Sequence, residues 1–259
     1  MTELLRALTE LSNLAQGIVL TGFLVFLRVG AMMALLPAFG EQSVPQRVRL
    51  ALALAFTAVV APAVADRVAP LQGAGALPFA TEVAAGLLLG MALRLFVHAL
   101  QIAGALIAQA TSLSQLFGGA GAEPLPAVGH LLTVAGLALL LALGLHVRVA
   151  QLLILSYDIL PAGALPAGAG VAEWGVRHVA RMFALGFSIA APFVVAALVY
   201  NLATGVVNRA MPQLMVTFIG APALTLAGLA LMAVALPPGL ALWTAAVGGF
   251  LGRPFAALP

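Results

Sequence analysis

The chain has 259 residues, 63% of them hydrophobic, and its formal charges are eleven arginines and eight acidic residues, 7% of the total against about a quarter in an ordinary soluble domain. A soluble fold of that length needs a polar surface that this composition does not supply, and a mean hydropathy of +1.16 agrees, so a soluble enzyme and a nucleic-acid-binding domain are both excluded. Net charge is only +3, too thin for a phosphate-tracking face, and with no cysteine there is no disulfide framework, zinc thiolate or thiol nucleophile.

In chain order, residues 1–13 read as an amphipathic N-terminal helix, with Leu4, Leu5, Leu8 and Leu11 at helical spacing and Glu3, Arg6 and Glu10 between them. Two Glu against one Arg is a poor start for a cleaved signal peptide, so the N-terminus is expected to be retained. Crossing about 30 Å of hydrocarbon takes roughly 20 helical residues. On that scale the sequence predicts six long apolar helices, near 14–36, 48–65, 80–110, 128–156, 172–207 and 213–251. The last lies in an uncharged run about twice as long as one crossing needs. It contains Pro222 and the pair Pro237–Pro238, so it is predicted to split into a hairpin or a broken pair. Pro and Gly cluster at 37–46, 66–79, 111–127 and 157–171, which reads as the linkers. The whole is expected to be one integral membrane domain, 1–259. With a cytoplasmic N-terminus, Arg6, Arg67, Arg177, Arg181 and Arg253 fall inside and Arg47, Arg49 and Arg209 outside, a weak positive-inside bias.

The apolar helices carry few polar residues. Glu82, Gly86, Gly90, Arg94 and His98 repeat at steps of four on the third helix, followed by Gln101, and Gly86–Gly90 is a GxxxG pair that lets another backbone approach. An ionisable group in lipid costs about 3 kcal/mol or more, so these should face protein or water. Two readings fit: a pathway wall or proton relay, and a packing seam with satisfied partners, which the high background of GxxxG favours. Glu173, Arg177 and Arg181, with His178 beside them, form either a vestibule or subunit contact or a solvated helix start, and the weakness of surface pairs favours the latter. Arg28 and Arg148 are expected to snorkel to the interface or to meet a carboxylate on another chain. Enzyme signatures are absent: His98, His130, His146 and His178 lack ligand spacing, and neither HExxH nor GxSxG occurs. Asp66 and Asp158 lack an acidic neighbour, and no Lys follows Gly118, Gly119 and Gly121. No catalytic residue, cofactor or metal is expected.

Four stretches together resemble the flagellar export-gate family FliR, whose virulence-system relatives are the T-type export-apparatus subunits. They are Arg28 to Pro62, with its Val-Pro-x-Arg-Val step before an apolar helix; 104–113, GALIAQATSL; 146–163, with His146, Tyr157, Leu160, Pro161 and Gly163; and 201–222, NLATGVVNRAMPQLMVTFIGAP. The last, with Asn208–Arg209, Pro212–Gln213 and Gly220–Pro222, is the most specific, and the likeness runs from about 14 to 250. Thr111 stands where the family usually has Gly, and Glu123–Pro124 replaces an Asp-Pro step in a loop that is longer and richer in Gly.

The resemblance implies an all-α membrane protein of kinked hairpins, like a P-type and a Q-type gate subunit joined end to end. It implies a non-enzymatic core subunit of the type III export gate, one copy per hetero-oligomeric assembly in the bacterial inner membrane at the flagellar basal body. Its partners would be the P-type and Q-type membrane proteins, the substrate-specificity switch protein, membrane lipid and the unfolded flagellar polypeptides it conducts. The loop 111–127 matches the position of the family's pore plug, with Leu116 and Phe117 as an apolar stopper and Gly118, Gly119 and Gly121 letting it fold back. Arg28, Glu82, Gly86, Gly90, Arg94, Gln109, Asn208, Arg209, Pro212 and Gln213 become candidate subunit-contact or polar helix positions. The alternatives are a virulence export subunit, and a small-molecule carrier with helices broken at Pro192, Pro222 and Pro237, which predicts two matching halves that the sequence lacks.

Overall fold

A computed structural model describes residues 2–41, 43–69, 75–111, 127–164, 168–210 and 216–254. These residues form helices and turns with no strand among them: α1 Thr2–Leu35, α2 Gln46–Val68, α3 Leu77–Thr111, α4 Ala127–Ala142, α5 Leu145–Ile159, α6 Gly168–Ala210 and α7 Val216–Gly252. Five are long and apolar enough to cross a membrane, and a sixth crossing is available if α4 and α5 are one broken span. The protein is an all-α membrane protein, as its composition requires.

Two boundaries differ from those expected, and the stretch 128–156, expected as one helix, is broken into α4 and α5. The amphipathic stretch at the N-terminus is no separate helix, because α1 runs unbroken to Leu35. The predicted split in the last helix is not there either: α7 continues through Pro237 and Pro238, as α2 does through Pro62 and α6 through Pro192. Each proline removes one backbone donor, whereas ending a helix leaves about four donors and four acceptors with no intrahelical partner. In lipid nothing else satisfies those groups, so the helix runs on. The break falls instead between α4 and α5, at Gly144, whose φ of +77° is a left-handed turn that costs glycine nothing. Its carbonyl accepts from the N–H groups of Val147 and Arg148, at 3.1 and 3.3 Å, and starts α5.

Two compact units emerge. The first comprises Met1–Arg94, Leu143–Val176 and Gly249–Pro259. In it α1 and α2 form a hairpin closed by a tight turn. Gly40 N–H donates to Leu36 O at 2.7 Å, and a Cβ on Gly40 would lie 2.7–2.9 Å from three carbonyl oxygens, which is why glycine stands there. Ala38 sits beside it at φ +70°. The second unit comprises Leu95–Ala142 and Arg177–Gly248. Its centre is Trp243, fully buried, whose indole N–H donates to Phe96 O at 2.8 Å. Gly136 makes room for that ring, since a Cβ there would be 3.2 Å from it and 2.5 Å from Leu100. The His178 and Phe96 rings pack against each other in a T-shaped arrangement in the same unit.

Candidate functional site

The first unit contains a buried polar cluster. Arg28 lies on the core face of α1, because Leu24, Val25 and Met32, three and four residues away, are all buried. Arg28 itself is 1% exposed and Glu82, near the start of α3, 0%. The two meet in a bidentate fork: Arg28 Nε donates to Glu82 Oε2 and Nη2 to Oε1, each at 2.8 Å. Nη2 also donates to Leu160 O at 2.9 Å, and Nη1 to Ser156 Oγ at 3.0 Å. Four of the guanidinium's five N–H groups are thereby used. Tyr157 closes the cluster, its hydroxyl donating to Glu82 Oε2 at 2.9 Å and its ring lying 3.7 Å from Arg28 Cζ. Ser156 Oγ in turn donates a hydrogen bond to Leu153 O at 2.6 Å.

A glycine seam makes this approach possible. Gly86, one turn beyond Glu82, lies against the Arg28 carbonyl and Ala31, and Gly90, one turn further, lies against Met32 O and Leu35. A Cβ at either place would be within 3.0 Å of the facing chain, so only glycine lets α3 lie on α1 at this distance. Next along the same face, Arg94 pairs with Glu41 of the 36–45 turn at 2.6 and 3.4 Å, both half-buried. The charges therefore cancel in pairs where α1, α3 and α5 meet. The arrangement holds helices together, and nothing in it presents a nucleophile or a base to a substrate. Among the described residues no group of histidines and carboxylates has the geometry of a metal site.

The structure thus brings together five of the candidate positions: Arg28, Glu82, Gly86, Gly90 and Arg94. The carboxylate expected on another chain for Arg28 is in fact Glu82 of the same chain, so this arginine neither snorkels nor waits for a neighbour. Arg148 is exposed at the start of α5. On α3 the polar line ends in water or lipid: His98 is exposed and takes Gln101 as its partner, Nδ1 to Oε1 at 2.8 Å, and Gln109 is exposed too. Asn208 and Arg209 are exposed in the last turn of α6, and Glu173 and Arg181 are exposed on the same helix. Leu116, Phe117, Gly118, Gly119, Gly121, Pro212 and Gln213 lie outside the described residues.

Sequence reasoning missed Ser156 and Tyr157 as members of the cluster and Glu41 as the partner of Arg94. The available signal was Tyr157, one of only two tyrosines in the chain, in a stretch noted for other reasons.

Over residues 19–249 the sequence matches the family described as bacterial export proteins, family 1. The chain belongs to that family. It is 39% identical to the flagellar biosynthetic protein FliR of Caulobacter vibrioides over 227 residues, 85% of this chain and 90% of the relative. The proteins of the same name from Escherichia coli and Aquifex aeolicus are 30% and 29% identical, over 83% and 86% of this chain and 84% and 88% of their own lengths. The matched region of this export-family member contains the whole Arg28–Glu82–Tyr157 cluster.

Proposed function

We propose that this chain is a membrane subunit of the flagellar protein-export apparatus, a core part of the gate through which unfolded flagellar polypeptides leave the cell. The observation that carries the reading is the family match over nearly the whole chain, with relatives named as FliR covered to 84–90% of their lengths. Five or six membrane-length helices agree with a polytopic inner-membrane component at the basal body. In this reading the chain is not an enzyme. It joins P-type and Q-type subunits and the specificity-switch protein in one hetro-oligomer, and the plug is the stretch between α3 and α4. Deleting the gene and purifying tagged protein tests this directly. Loss of swimming together with recovery of two small membrane partners supports it, and normal swimming refutes the flagellar assignment.

The plug has its own test. Removing residues 114–121 leaves the subunit assembled but makes the resting membrane leak ions, because Leu116 and Phe117 no longer close the path. Unchanged conductance in that deletion rules the plug out.

A further inference from the structure

The α1–α2 hairpin carries an apolar groove at each end, and the charges at their mouths are opposite. At the open end a cavity of about 1040 Å³ runs between Gly17, Thr21, Leu54 and Ala61, with Glu10 and Asp66 at its mouth. Towards the closing turn a second groove of about 510 Å³ is walled by Phe26, Gly30, Leu50, Ala53 and Val83, and its polar lining residues are Gln46 and Arg49. Arg49 is anchored there by Nε, which donates to Val44 O at 3.1 Å. Glu41, the carboxylate of the adjoining turn, is engaged by Arg94, so it does not neutralise Arg49.

Position supplies the rest. With 23 residues α2 is about 34 Å long, close to the hydrocarbon thickness, so its first turn lies at the headgroup level when its apolar middle is centred. From Gln46 to Ala53 the groove runs about 10 Å down the helix, within one leaflet of about 15 Å. A groove of this kind in a bilayer is filled by apolar chain, and the uncompensated Arg49 at its mouth selects a filler that ends in an anion. We propose that it holds one anionic phospholipid, with its phosphate on Arg49 and an acyl chain along Phe26, Gly30, Leu50 and Ala53. The other groove, with carboxylates at its mouth, repels the same lipid. This site does not depend on the export reading.

The test uses the full chain in phosphatidylcholine vesicles with trace spin-labelled phosphatidylglycerol or spin-labelled phosphatidylcholine. Wild-type protein should associate with the anionic label about fivefold more strongly, since an arginine near a headgroup contributes about a factor of five. Arg49→Gln should bring that ratio to within twofold of unity. Gly30→Leu should displace the label by filling the groove, where a Cβ meets only the Phe26 ring at 3.8 Å. Glu10→Gln with Asp66→Asn should leave the ratio unchanged. Equal association of both labels with wild-type protein, or a preference that survives loss of Arg49, overturns the site. The first result would mean that a protein neighbour or neutral lipid fills the groove.

Discussion

Removing either charge of the Arg28–Glu82 pair should be far worse than removing both. Each single change strands a charge that is 0–1% exposed, and breaking a buried pair in this way costs about 3–5 kcal/mol. Arg28→Met and Glu82→Leu would therefore sum to about 6–10 kcal/mol if they acted independently. In the double variant no charge remains. Ser156 keeps its bond to Leu153 O, so the groups that lose their partner are the Tyr157 hydroxyl and the Leu160 carbonyl, about 1–3 kcal/mol each. The gain from no longer burying two ions offsets part of that, which puts the double variant near 3 kcal/mol. The same arithmetic fixes the sign for Tyr157→Phe. In the wild-type chain it removes a hydrogen bond to a carboxylate and costs about 1.5–3 kcal/mol; in the double variant it removes a hydroxyl with no acceptor and restores about 1 kcal/mol or more. Equilibrium unfolding of the full chain in mixed micelles, with denaturing detergent as the titrant, reads all five quantities. If the single changes cost less than 1 kcal/mol, or if Tyr157→Phe acts with the same sign in both backgrounds, the cluster is not the buried, mutually dependent network described.

Two further predictions use the same measurement. Gly86→Ala pushes a methyl into the Arg28 carbonyl and should cost about 2 kcal/mol or more, whereas Gly22→Ala, with open space around it, should gain about 0.5–1 kcal/mol from helix propensity. Equal effects at the two glycines would mean that the seam is not close-packed. Arg67 and Asp158 form a pair at 3.0 Å with 42% and 50% of their side chains exposed, so Asp158→Asn should change stability by less than about 1 kcal/mol. A loss comparable with Glu82→Leu would show that exposure is the wrong guide to which pair matters.

Much of the fold was legible because membrane crossings announce themselves by length and hydropathy alone. The errors came where proline was weighed by the rules of water. In a soluble helix Pro237–Pro238 ends the element, but in an uncharged run the alternative leaves many more backbone groups unsatisfied, so a flexible glycine at 144 breaks the chain instead. The buried pair was closer to hand than the reading allowed. Glu82 is a carboxylate in the second turn of the apolar α3, and Arg28 the one arginine deep in α1. Each is the obvious remedy for the other. What spacing does not reveal is where a line of residues at steps of four stops being buried. Such a line turns by about 40° per step, so His98 lies about 160° round the helix from Glu82. That rotation takes the face from complete burial at Glu82, through half-burial at Arg94, to exposure at His98.

Pairing Arg28 and Arg94 inside the chain changes what remains for neighbours to recognise. The sequence suggested that ionic groups would be buried against sister subunits, yet the deepest ones are already neutralised at home. Beyond Arg181, which is exposed, the large exposed side chains of α6 are mostly apolar instead, from Phe183 through Phe187 and Leu198 to Val206. That is a rise of about 35 Å, and a helix at the usual tilt of about 20° passes some 32 Å through a hydrocarbon core. A tilt of about 30°, within the range seen in membrane helices, is enough for lipid to cover the whole stretch. What a protein neighbour would recognise on this face is therefore apolar shape and not charge.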